Sequence, residues 1–416
     1  MRGSQPWVRT GGIIILVALV TALISSAAAG RFPLWLRSNP RSAAGRAAAP
    51  RRGADAGRPP ATAGAPSQAV GPKAASLPAL SPAQMAGQRV IYSYGGLTPP
   101  ASLLQLIRHG EAGGVIFFSQ NVSSPAQIAA VIAELDQANA SPLNPVRSPL
   151  LLMTDQEGGL VRRVPGEPLL SERQIGESAA PAAAAASAGS GAGLNLAGLG
   201  MNVNLAPVLD VYRQPGDFDD QYQRSYGMDP AVVADLGAAF IRAQQQTGVA
   251  AAAKHFPGLG AAAQAQDTDT QPVTLDVPLA TIRDVDELPF RAAIAAGVRL
   301  VMMSWAVYPA LDPARPAGLS PVIVGGELRD RLGFKGVTIT DALEAGALRA
   351  YGPIPSRALL AAGAGMDLVL CSAGSVSEGE QAAAGLEGGY RDGTLDKLAF
   401  AAALQRVLAL RASPGG

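Results

Sequence analysis

Eight short apolar runs, each followed by a turn and a stretch with helical spacing, constrain this chain more than any other feature. The runs are Val90–Tyr94, Gly114–Phe118, Leu150–Thr154, Met201–Leu205, Val249–His255, Leu300–Ser304, Gly336–Thr340 and Met366–Leu370. None alternates apolar with polar residues, as a strand with one wet face would. Helical spacing falls at Ala101–His109, Pro125–Ala138, Ser171–Ala197, Pro230–Thr247, Leu279–Gly297, Pro321–Leu332 and Ile354–Ala364, with Leu395–Arg411 after the last run. Strands covered on both faces and separated by helices indicate a parallel sheet. Eight such units predict an α/β fold, a (β/α)8 TIM-type barrel of regular or irregular outline, with its site at the C-terminal strand ends. An open doubly wound sheet is the competing arrangement. The Ala-rich stretch from Ala179 to Gly200 reads as a small-residue helix or loop.

Ahead of the barrel the chain changes character. Arg2 and Arg9 precede an apolar run from Gly11 to Ile24, and small residues follow from Ser25 to Gly30. Residues 1–30 therefore read as a signal peptide or a membrane anchor, the apolar stretch approaching the lower limit of about 17 residues for a spanning helix. Residues 31–84 are rich in Ala, Pro and Arg and poor in large apolar side chains, which predicts a disordered linker. Residues 85–416 form the expected catalytic barrel. The bulk of the chain is then extracytoplasmic, secreted or held by a membrane tether.

Composition removes other classes. With 33 basic and 32 acidic residues the net charge is +1, so no global field draws the protein to nucleic acid. Cys371 is the only cysteine, which leaves no internal disulfide and no thiolate metal site. No phosphate-cradling glycine loop and no histidine–carboxylate spacing is present, so neither cofactor nor metal is expected. The oligomeric expectation is a monomer.

Chemistry-bearing residues gather where the apolar runs end. The third ends in Thr154-Asp155-Gln156-Glu157-Gly158-Gly159, with Arg162-Arg163 just beyond. Asn204 and Asp210 follow the fourth, and Arg224-Ser225-Tyr226 precedes the next helical stretch. The fifth ends in Lys254-His255-Phe256-Pro257-Gly258, the sixth in Ser304-Trp305 and the seventh in Thr340-Asp341. Singly, each has a structural explanation: Asp155 or Asp341 as a helix cap, Asp210 as a partner of Arg163. Converging on one rim, they suit a polar ligand rich in hydroxyls.

These motifs, with Asn204-Leu205-Ala206-Pro207-Val208-Leu209-Asp210 and Ile339-Thr340-Asp341-Ala342-Leu343, occur in an order that resembles glycoside hydrolase family 3, in its single-domain β-N-acetylhexosaminidase branch. The resemblance covers roughly Gln88 to Ala412. It implies release of a terminal β-linked N-acetylglucosamine from an envelope or extracellular glycan, with retention, through a covalent glycosyl-enzyme intermediate. Asp341 matches the nucleophile. Asp155, Arg224, Lys254 and His255 match residues that hold the sugar. Arg163 and Asp210 are weaker matches, Trp305 offers a ring to stack on a sugar face, and Tyr222 and Tyr226 offer the same.

The chain departs from the branch at one place. The family's acid/base histidine lies in an Asp-Ser-His turn soon after the Lys-His-Phe-Pro-Gly run, whereas this chain has Gln266-Asp267-Thr268-Asp269-Thr270. Leu259 and Trp305 also stand where histidines are common. Either Asp269, or failing it Asp267, replaces the acid with a pKa raised by burial or by Asp341, or the protein binds glycans with weak or no turnover. Another sugar specificity within the family, such as a β-glucosidase, is a further alternative.

Overall fold

The computed structural model describes residues 79–414. Eight parallel strands close into a barrel. They are β1 (Val90–Tyr92), β2 (Gly114–Ile116), β3 (Leu151–Thr154), β4 (Val203–Asn204), β5 (Ala250–Phe256), β6 (Leu300–Met303), β7 (Val337–Ala342) and β8 (Leu368–Leu370). Each pairs with its successor, and β8 returns to β1 through Val90↔Val369 and Ile91↔Leu370. The open-sheet alternative is therefore set aside.

The absence of polar alternation now has its cause. Ile91, Leu151, Met153, Leu300, Met302, Val337 and Ile339 share one buried cluster, while their chain neighbours Val90, Tyr92, Leu152, Val301 and Met303 belong to another. Successive strand side chains point to opposite faces, and here one face fills the barrel while the other meets the helices. Val407 and Leu410 of the last helix, Lys397–Ala412, join the inner cluster.

Several helices differ from expectation. The segment Ser171–Ala197 holds two, Glu172–Gly176 and Pro181–Leu199, because Pro181 lacks an N–H to continue the first and suits the start of the second. The Ala-rich stretch is thus a helix. Its small residues let it lie close to helix Pro230–Gln245, where a Cβ on Gly189 would come within 2.3 Å of the Phe240 carbonyl oxygen. The segment expected at Leu279–Gly297 is broken by a π-helical turn over Ile282–Asp286. An unanticipated helix, Val376–Asp392, follows β8. Its buried stripe includes Gly379, Ala382 and Gly389, so the apolar period is faint in the sequence. Helix Pro82–Gly87, capped by Ser81, takes in residues 82–84, which the sequence assigns to the linker. The signal or anchor and linker residues 31–78 lie outside the described residues. Among the described residues, no helix is long and apolar enough to cross a membrane.

Candidate active site

A cavity of about 290 Å³ opens at the C-terminal ends of the strands. Its floor is the top of the barrel interior, formed by Ile116, Leu205, Met302 and Leu370. Asp155, Arg163, Arg224, Lys254, His255, Asp267, Asp269 and Asp341 all line it. Of the candidates named from the sequence, Asp210, Tyr226 and Trp305 do not line it.

One wall is an ion-pair network. Lys254 Nζ lies 2.8 Å from Asp155 Oδ1 and 2.7 Å from Glu157 Oε1. Arg224 donates twice to Glu157, Nε to Oε2 at 3.0 Å and Nη2 to Oε1 at 2.9 Å. Glu157 is 2 % exposed. Burial alone would raise its pKa, but Arg224 and Lys254 outweigh burial and hold it down to about 2. Burial would likewise discharge Lys254, and Asp155 with Glu157 reverse that, leaving its pKa above the ordinary value. Both cations are thus fixed in place and charged. Sequence reasoning credited the Asp-Gln-Glu run to Asp155 alone; Glu157 sits two residues on, which in extended chain places it on the same side.

A second wall shares protons. His255 Nδ1 lies 2.7 Å from Asp210 Oδ2, and the backbone N–H groups of His255 and Leu259 donate to Asp210 Oδ1. Burial, then the charge of Arg224, lowers the His255 pKa to about 4, so the ring is neutral near pH 7. Burial raises Asp210 to about 6. It raises Asp219 to about 7, with help from Asp210. Among the described residues, Asp210, Asp219 and His255 are the one group close enough to share a cation. Direct hydrogen bonding already joins His255 to Asp210, and Arg224 Nη1 lies 3.5 Å from Asp219 Oδ1. The arrangement therefore works as a hydrogen-bonded acid cluster behind the cavity wall. Asp219 had no signal in the sequence, since it lies in a four-residue helix, Phe218–Gln221, too short to show a period.

Asp341 closes the far side. Its Oδ1 accepts the backbone N–H of Ala342 at 2.7 Å. Burial, then the charge of Asp269, raises its pKa to about 6, against the pull of His255. The segment carrying Asp267 and Asp269 lies against the chain that follows β7. Gly346 N donates to Asp269 O at 2.7 Å, and Ala347 N to Thr268 O at 3.1 Å. Only glycine fits at 346, because a Cβ there would lie 2.2 Å from the Thr270 carbonyl oxygen. Asp269 keeps an exposed edge, while partial burial and then Asp267 raise its pKa. Asp267 accepts the backbone N–H of Asp269 at 2.9 Å, which ties its carboxylate to the turn itself.

Trp305 corrects an expectation. The ring is 1 % exposed, packs against Gly318 and does not line the cavity. A sequence cannot tell which side of a strand end an aromatic takes; here the hydrogen bond of its indole N–H and the surrounding core draw it inward. Tyr226 is buried as well, whereas Tyr222 and Phe218 line the cavity.

Residues 84–410 match the family model described as the glycosyl hydrolase family 3 N-terminal domain. A secreted glycosyl hydrolase of Arthroderma benhamiae is 46 % identical over 339 residues, covering 81 % of this chain and 95 % of that one. Among solved structures, a β-N-acetylhexosaminidase from Beutenbergia cavernae aligns with a TM-score of 0.72 and 33 % identity, over 80 % of this chain and 98 % of its own. A glycoside hydrolase family 3 β-N-acetylglucosaminidase from Paenibacillus aligns with a TM-score of 0.76 and 35 % identity over 81 % of this chain. The present chain spans 64 % of that longer protein.

Proposed function

The chain belongs to glycosyl hydrolase family 3, and from that premise we propose that it is a retaining β-N-acetylhexosaminidase releasing terminal β-linked N-acetylglucosamine. The observation that carries this reading is the position of Asp341 and the Asp267–Asp269 turn on one cavity whose opposite wall is a fixed polar network.

In this mechanism the Asp341 carboxylate attacks the anomeric carbon as the bond to the leaving oxygen breaks. Asp269 gives its proton to that oxygen. The carboxylate so formed then takes a proton from water, which attacks the anomeric carbon and frees Asp341. Asp155 accepts from sugar hydroxyls, and Lys254 and Arg224 donate to hydroxyl or acetamido oxygens. The raised pKa of Asp269 suits a group that must hold a proton before the first step. Its substrate is an envelope or extracellular glycan, met outside the cytoplasm by a monomer. The N-terminal apolar run supports that location, as does the secreted relative.

Hydrolysis of an aryl β-N-acetylglucosaminide by the wild type and by Asp341→Ala tests the proposal, with aryl β-glucoside as the control for another specificity. A large loss in the variant is expected. A second reading, a glycan-binding protein without turnover, draws on the exposed position of Asp269 where the related branch has a histidine; equal background rates from both proteins would favour it.

A further inference from the structure

Tyr222 and Phe218 have no role in the chemistry above, yet both line the cavity. Phe218 is buried, and Tyr222 stands 45 % exposed at the rim. Their rings meet edge to face with centroids 5.7 Å apart, a geometry that holds the outer ring at a defined angle. Helix Phe218–Gln221, which starts at Phe218 and is capped at its C-terminus by Tyr222, is tied to the loop that leads to the candidate acid. Phe218 N donates to Ala262 O at 3.0 Å, and Gln221 Nε2 donates to Gln264 O at 2.9 Å.

The next residue explains why Tyr222 faces outward. Gln223 adopts φ of 58°, the left-handed region that side chains other than glycine seldom enter. It is held there by its N–H to Asp220 O at 2.8 Å and by Ser171 Oγ, which donates to its Oε1 at 3.0 Å. The reversal sends Arg224 inward to Glu157 and leaves Tyr222 on the rim.

Reaction geometry links these facts. The acid protonates the leaving oxygen, so the leaving group lies on the acid's side of the cavity, and the nucleophile approaches from the opposite face of the sugar. The acid-bearing loop and the aromatic pair are hydrogen-bonded neighbours. We propose that Tyr222, braced by Phe218, is the platform for the first ring of the leaving group, and that the protein prefers glycans whose second unit is a pyranose with an apolar face. This rests on the hydrolase reading of the site.

The test measures binding of N-acetylglucosamine and of N,N′-diacetylchitobiose to the full chain carrying Asp341→Asn, alone and with Tyr222→Ala or Tyr222→Phe. The second ring should tighten binding roughly five-fold, the size of one aromatic contact. Tyr222→Ala should erase that gain without weakening the monosaccharide, and Tyr222→Phe should keep it. Equal weakening of both sugars would assign Tyr222 to the terminal sugar and overturn the proposal. No change in either, or no gain from the second ring at the start, would overturn it too. Turnover of an aryl glycoside by the protein with Asp341 intact judges the hydrolase reading separately.

Discussion

The indole Nε1–H of Trp305 donates to the carbonyl oxygen of Ala342 over 2.8 Å, one peptide beyond Asp341. The Ala342 N–H in turn donates to Asp341 Oδ1 at 2.7 Å. A buried ring thus pins Ala342, the residue whose own N–H holds the candidate nucleophile. Trp305→Phe keeps most of the packing and removes the donor, leaving a carbonyl unpaired at a cost of about 1–3 kcal/mol. We expect kcat to fall about ten-fold, about 1.4 kcal/mol on the barrier, with KM little changed. Steady-state kinetics decide, and an unchanged kcat would remove Trp305 from the positioning of Asp341.

Glu157 should matter as much as the cations it holds. Glu157→Gln removes the charge shared by Arg224 and Lys254 in a buried network. Breaking such a network costs about 3–5 kcal/mol. Thermal unfolding should show that loss, and KM should rise roughly ten-fold, about 1.4 kcal/mol in binding. A variant with wild-type stability and KM would contradict the role.

The pH profile should be bell-shaped. Asp341 must be ionised to attack, so the acid limb should fall as pH drops through about 6, the value to which burial and Asp269 push it. The basic limb should report loss of the proton that the acid gives to the leaving oxygen. In Asp269→Asn that limb should flatten, with natural substrates slowed more than activated aryl glycosides, since a good leaving group needs no proton. Equal slowing of both substrate classes would count against Asp269.

The buried acid cluster makes stability depend on pH. Burial and Asp210 raise Asp219 to about 7 in the fold, whereas an unfolded aspartate titrates near 3.9. The folded state therefore binds the proton more tightly. The contribution is fully present below about pH 4 and is lost as pH rises through about 7. Asp219→Asn, neutral throughout, should gain stability relative to wild type between pH 5 and pH 8. Unfolding midpoints at both pH values check this, and a constant difference would show that Asp219 is ionised throughout.

How much of this is legible in the sequence varies by residue. The barrel strands are readable because both faces are buried, so Leu150–Thr154 and Leu300–Ser304 stand out as unbroken apolar runs. Asp341 and Lys254 are readable because each closes such a run, where barrels place their chemistry. Glu157 is overlooked because its partners Arg224 and Lys254 are remote in sequence and their pairing is a product of the fold. Phe218, Asp219 and Tyr222 lie in a segment without periodicity, so nothing local distinguishes the buried pair from the exposed ring. Trp305 carries the opposite lesson: its position at a strand end is legible, but the side on which its ring packs is decided by Gly318 and the Ala342 carbonyl.

The central claim, that Asp341 forms a bond to the sugar, is tested most directly by trapping. A fluorinated glycosyl fluoride that forms the intermediate quickly and releases it slowly is incubated with the protein, and the labelled peptide is mapped by mass spectrometry. A single label on Asp341, absent in Asp341→Asn, is the expected result. Label on another residue, or turnover that yields the inverted anomer with no label, would contradict the account.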